Sequence, residues 1–125
     1  MKKADLEKEL TNLAHTILEG SGLAPRYYPR IYLGRPHPEW LSKEEAGYDG
    51  IMSPPYAQYE KCPEIWVSYY PGRERTTRLN MVLCHECAHI CIHYACKVDF
   101  DDEKEEERIC DFLEEVFYKL YVKGK

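Results

Sequence analysis

Met81-Val82-Leu83-Cys84-His85-Glu86-Cys87-Ala88-His89 is the stretch on which the reading of this chain turns. Its last five residues spell His-Glu-x-x-His, inside a run with helical character. Residues four apart on a helix point the same way, so His85 and His89 can offer imidazole nitrogens to one ion. Glu86 lies about 100° further round the helix, within reach of a water held by that ion. Two nitrogen ligands and an adjacent carboxylate are the smallest kit of a zinc hydrolase. The bland alternative is three polar residues on a surface helix with no metal. Their neighbours argue against it, because Met81, Val82, Leu83, Cys84, Ile90, Cys91 and Ile92 are apolar. Burying two imidazoles and a carboxylate in that company is costly, and a bound ion removes the cost.

Working outward, Thr76 or Thr77 can cap this helix, which is expected to run to about Cys96. Cys84, Ala88, Cys91 and Ala95 give it one narrow face of small residues, suited to close packing against a sheet or another helix. Before it, Ile65-Trp66-Val67-Ser68-Tyr69-Tyr70 is the best strand, rich in β-branched and aromatic residues and ended by Pro71-Gly72. Arg30-Ile31-Tyr32-Leu33 and Gly50-Ile51-Met52 read as shorter strands. They lie in a stretch, residues 25–63, whose prolines and glycines exclude long helices. Residues 2–19 read as an amphipathic helix on Leu6, Leu10, Leu13, Ala14 and Ile17, stopped by Gly20 and Gly22. After the motif, an acidic stretch (residues 99–107) leads into a last helix. Its apolar set is Ile109, Phe112, Leu113, Val116, Phe117 and Leu120. The fold expected is α+β, one domain over residues 1–125. It has an N-terminal helix, a short and mostly antiparallel sheet of about three strands, and two helices enclosing a metal.

The bulk properties narrow the partners. A chain of 125 residues suffices for one modest core. A formal net charge of -5 does not suit a general nucleic-acid surface. No apolar run approaches the roughly 18–20 residues that cross a membrane. Met1-Lys2-Lys3-Ala4-Asp5-Leu6-Glu7 lacks the apolar core of an export signal, so a cytoplasmic protein is expected. The six cysteines are then expected to be reduced, with Cys84, Cys87 and Cys91 acting as small apolar residues on the motif helix. Cys84-His85-Glu86-Cys87 is formally a Cys-x-x-Cys pair. No second pair stands at the spacing that a cysteine zinc site needs.

A catalytic zinc takes three protein ligands and a water, so one ligand must come from beyond the motif. His93 continues the series 85, 89, 93. Each four-residue step rises about 6 Å, however, so one ion rarely meets all three. The rival source is a carboxylate on the last helix, where Glu103, Glu106 and Glu107 are available. Glu107 has Asp111 one turn on. Glu107 can bind the ion while Asp111 accepts a hydrogen bond from the far nitrogen of a motif histidine. Glu106 falls nearer the apolar face, where an unpaired carboxylate is costly. Helical phase does not settle the choice. Glu103 and Glu105 read as solvated acids favoured at a helix start.

A strand, a basic turn, a His-Glu-x-x-His helix and a helix bearing Glu-x-x-x-Asp together resemble the minimal gluzincin metallopeptidases, and among these the ImmA/IrrE family. The matching pieces are Ile65-Trp66-Val67-Ser68, then Arg75 and Arg78, then the motif stretch, then Glu107-Arg108-Ile109-Cys110-Asp111-Phe112-Leu113. They fall within residues 65–118, about half the chain; the N-terminal half fits only as a helix followed by short strands. Cys87-Ala88 stands where the family commonly has Leu-Gly, and Ile109 or Glu114 where it often has Ala. The helix-turn-helix of many relatives is not seen. SprT-like proteases share His-Glu-x-x-His but use a further histidine and a basic zinc-ribbon tail, also not seen.

The resemblance implies one zinc held by His85, His89 and Glu107, with Asp111 behind a histidine. It implies that zinc lowers the pKa of its bound water, and that Glu86 takes the proton and delivers it to the leaving amine. An oxyanion donor is then needed, with Tyr94, His93, Tyr118 and Tyr69 as candidates. The implied substrate is a protein or peptide, of the repressor-like regulator type, cut at one exposed site. The strand at residues 65–70, if it is the sheet edge, would hold an extended peptide; otherwise it is an interior strand. Neither a nucleic acid nor a membrane is expected as partner. Two other classes stay open: a zinc-binding interaction module without activity, and a non-peptide zinc hydrolase. Glu86 argues against the first, because structural zinc needs no general base.

Overall fold

The computed structural model describes residues 2–35, 49–53, 57–69 and 76–123. The first helix, α1, spans Lys3–Gly20 and buries Leu6, Leu10, Ala14, Ile17 and Leu18, one stripe at helical spacing. It stops at a left-handed turn. Gly22 has φ +80°, its N–H reaches Glu19 O at 3.1 Å, and Leu23 N–H reaches Leu18 O at 3.0 Å. This paired closure satisfies the last carbonyls, and only glycine adopts that φ without strain.

Three short strands follow: β1 (Arg30–Leu33), β2 (Gly50–Ser53) and β3 (Glu64–Val67). The order in the sheet is β1-β3-β2. β3 runs parallel to β1, with Ile31 opposite Ile65 and Leu33 opposite Val67. It runs antiparallel to β2, with Met52 opposite Ile65. The sheet is therefore mixed, one pairing of each kind, where a mostly antiparallel one was expected. The chain leaves β1, forms the far edge as β2, and returns through the middle. Alternation puts Ile31, Leu33, Met52, Ile65 and Val67 on one buried face. On the other face Tyr32 stacks on Trp66 at 4.3 Å between ring centroids. The strand expected over residues 65–70 is the central one, so it is not the sheet edge. Tyr70, Pro71 and Gly72 lie outside the described residues.

The motif helix, α2, spans Thr76–Ile90. Thr77 is already inside it, and the residue before Thr76 lies outside the described residues. Leu79, Leu83, Cys84, Cys87 and Ala88 are buried, the last four completely. Small side chains here let α2 lie close to α1, the sheet and the last helix at once. All six cysteines are free. Burial pushes the Cys84 thiol up to about 12, so it stays protonated and acts as an apolar group. Beyond Ile90 the helix loosens into a π turn, Cys91–Ala95, with Cys96 N–H bonded to Cys91 O at 2.9 Å. The regular helix expected as far as about Cys96 thus ends six residues early in its α form. The wider turn re-aims every side chain it carries.

The last helix, α3, spans Glu103–Phe117. Asp102 caps it, its side chain accepting from Lys104 N at 2.9 Å. Its buried positions are Cys110 and Phe117, while Ile109, Phe112 and Leu120 are exposed. The single apolar set expected here is split. The face turned towards α2 carries Glu106, Glu107 and Glu114, because each meets an imidazole of α2. No helix among the described residues is long and apolar enough to cross a membrane.

α1 is tied to the sheet by one carboxylate. Glu7 accepts the Leu33 N–H at 2.8 Å and clasps Arg35 with both oxygens. Hydrogen bonding to Arg35 holds the Glu7 carboxyl below its usual value of 4.5, against a smaller opposing effect of burial. A depressed carboxylate stabilises the fold above its unfolded pKa and loses that contribution as pH falls through the folded value. Glu7→Gln is expected to cost about 1 kcal/mol at neutral pH, most of it through the backbone N–H, since the exposed Arg35 is screened. In urea melts the wild type and the variant should converge as pH drops below the carboxylate range.

Candidate metal centre

His85 and His89 stand one turn apart on α2 and both face α3, their rings 5.0 Å apart and inclined at 72°. Glu107 comes from the second turn of α3 and lies between them. Its Oε2 is 2.9 Å from His85 Nε2, and its Oε1 is 3.0 Å from His89 Nε2. One donor atom from each of the three residues lies within 4.8 Å of the others. Two imidazole nitrogens and a carboxylate oxygen are a donor set that suits zinc, and three protein ligands leave a position open. The residues present fit the ion.

The far sides of the two rings are also held. His85 Nδ1 lies 3.1 Å from Glu114 Oε1 and 3.3 Å from Asp111 Oδ1. His89 Nδ1 lies 2.6 Å from Glu106 Oε2. Carboxylates on both Nδ1 atoms favour the Nδ1–H form, which leaves each Nε2 lone pair directed at the shared position. Asp111 lies behind His85 and shares that side of the ring with Glu114. Glu114 was not picked out as a partner. Its signal was present: it lies two turns beyond Glu107, among apolar residues.

The rival third ligands fall elsewhere. Glu106 reaches His89 from behind. His93 meets Asp99 through Nδ1 and Glu106 through Nε2, each at 3.0 Å, and takes no part in the Glu107 cluster. Two more groups have ligand spacing, His89–Glu106–Cys110 and His85–Asp111–Glu114. Each offers a single imidazole. In the first, burial also raises the Cys110 thiol, which disfavours the thiolate that a metal needs. Cys84 and Cys87 are fully buried and join no such group among the described residues.

Glu86 is buried beside the two histidines. Desolvation raises its pKa, opposed by the charges of His89 and His85. β2 passes directly over it. A Cβ on Gly50 would come 2.5 Å from Val82 Cγ1 and 3.2 Å from Glu86 Oε2, so only glycine allows the strand this close. The result is an open cleft of about 1240 Å³, with Gly50, Ile51 and Met52 on one wall and His85, Glu86 and His89 on another. Arg78 stands on its rim, paired with Asp49. Arg75 lies outside the described residues. Of the four residues considered as oxyanion donors, only His93 lines the cleft, and both its nitrogens face carboxylates. The Tyr94 hydroxyl instead accepts from Gln58 N, within an aromatic group formed with Tyr27 and Tyr59.

Family models, curated proteins and solved structures give no match to this chain.

About one zinc per chain is expected by elemental analysis, lost in His89→Ala and in Glu107→Ala. Glu106→Ala should keep the metal at roughly 10-fold weaker affinity or worse. Binding should also be pH-dependent. Burial lowers the His85 pKa, but the charges of Glu86, Glu107 and Glu114 outweigh it, and the net shift is upward from 6.5. A protonated imidazole cannot ligate. The apparent zinc affinity should therefore begin to fall on acidification above that ordinary value, as chelator competition across a pH series would show.

Proposed function

We propose that this protein is a zinc-dependent metallopeptidase of the minimal gluzincin kind, similar to the ImmA/IrrE family. The observation that carries the reading is the placement of Glu86. It is a buried carboxylate next to a two-imidazole, one-carboxylate cluster, at the floor of a cleft walled by an edge strand.

His85, His89 and Glu107 would hold the ion. Zinc bound there would act as a Lewis acid towards a carbonyl oxygen and make water a nucleophile near neutral pH. The protein's own contribution lies in the groups around it. Glu86, its proton affinity raised by burial, suits a group that accepts a proton from water and returns it to a leaving amine. Glu106, Asp111 and Glu114 hold the two imidazoles in the form that can ligate. β2, at the edge of the sheet among the described residues and against the cleft, offers backbone groups that can pair with an extended peptide. This supports a protein or peptide substrate over a small non-peptide ester, and the resemblance points to repressor-like regulators among such substrates.

Six free cysteines, four of them buried, suit a reducing compartment, and we place the enzyme in the cytoplasm.

Glu86→Gln tests the assignment. It should retain about one zinc per chain and lose about 10²–10⁴-fold in hydrolysis of an unstructured protein such as casein. Equal cleavage by both forms would sink the role of Glu86. A zinc-loaded wild type that cleaves neither casein nor a peptide library would favour the interaction module.

A further inference from the structure

We infer that Glu106 and His93 form a positioning pair for the metal centre, in which Glu106 orients His89 and His93 orients Glu106. The inference rests on the reading of His85, His89 and Glu107 as a metal site.

Glu106 divides its two oxygens between two rings. Oε2 lies 2.6 Å from His89 Nδ1, and Oε1 lies 3.0 Å from His93 Nε2. The first distance is that of a strong, charge-assisted hydrogen bond. The second contact is close, but Nε2 makes no hydrogen bond there, so the ring backs the carboxylate by proximity alone. His93 is among the most deeply buried polar groups of the chain, with 3% of its surface exposed. Its other nitrogen is anchored to Asp99 at 3.0 Å. Burying an imidazole with one nitrogen poorly bonded is unfavourable, and core packing would be served better by leucine. The local backbone points the same way. His93 lies in the π turn that begins two residues after His89. Such turns inside helices concentrate at functional sites, where they re-aim a side chain.

The pair settles a choice between two carboxylates. Glu106 and Glu107 are adjacent, and Glu106 also lies within ligand spacing of His89. A freely rotating Glu106 would compete with Glu107 for the ion or swing out to solvent. Bonded to His89 through one oxygen and backed by the His93 ring at the other, it stays behind His89, keeps the proton on Nδ1, and leaves Nε2 and Glu107 to the metal. The His85 side needs no such helper, because Asp111 and Glu114 both reach Nδ1 directly.

The test is a double-mutant cycle on the full chain with His93→Leu, Glu106→Ala and the double variant. Zinc affinity is read by chelator competition, the ligand field by the visible spectrum of the cobalt-substituted protein, and the His89 tautomer by long-range ¹H–¹⁵N imidazole spectra of the metal-free protein. His93→Leu should weaken zinc about 10-fold, alter the cobalt spectrum and disturb the Nδ1–H form of His89. It should do nothing further once Glu106 is Ala. His93→Gln, whose amide can donate from near the Nε2 position, should restore most of the affinity, and His93→Asn should not. That glutamine–asparagine contrast carries the test where the leucine variant does not fold. Unchanged affinity and tautomer in His93→Leu, or losses that simply add in the double variant, overturn the pair and leave the metal reading standing. A wild type that takes up no metal, while His93→Leu still disturbs the tautomer, removes the metal reading and leaves the orienting role.

Discussion

The interface between α2 and α3 is built from imidazoles set against carboxylates, and the rest of the molecule is arranged around it. Both nitrogens of His85, His89 and His93 face carboxylate oxygens, all but one of these on α3 and the remaining one on Asp99. A helix pair that packs through polar groups gains little from burial. Each group taken from water is favourable only where its partner stands within hydrogen-bonding or ligating distance. That requirement fixes the rotation of α3 about its own axis. It turns Glu106, Glu107 and Glu114 inward and sends Phe112 and Leu120 outward, against ordinary hydrophobic preference.

Such an interface needs a rigid frame, and the apolar half of the chain provides it. α1 and the sheet pack against α2, whose Leu83, Cys84, Cys87 and Ala88 are all fully buried. The small residues are what let several elements converge on one helix. Glycine at position 50 extends the same logic to the cleft, since it brings the edge strand against Glu86 with no side chain between them. The catalytic candidate and the strand that could present a peptide are therefore placed by one close approach.

The arrangement also separates roles among chemically identical groups. Five carboxylates surround two histidines, yet their environments differ. Glu86 is buried and reluctant to ionise, Glu107 meets both Nε2 atoms, and Glu106, Asp111 and Glu114 meet the far nitrogens. Position relative to the rings, not residue type, decides which can hold a metal, which can move a proton and which can only orient a neighbour.

Sequence alone determined whatever depends on neighbours within a turn or two. The stripe of Leu6, Leu10, Ala14 and Ile17, the stop at Gly22, the strand at residues 30–33, and the common face of His85 and His89 all follow from the local geometry of helix, strand and turn. The spacing of Glu107 and Asp111 was legible for the same reason. What only the tertiary structure decided depends on contacts between distant segments. Glu106 and Glu107 are indistinguishable by helical phase until α3 is rotated against α2. The middle place of β3 follows from its pairing with both β1 and β2, which its own alternation does not record. The π turn that carries His93 gives no periodic signal, and the carboxylates its ring meets, Asp99 and Glu106, reach it only once the chain beyond the turn folds back.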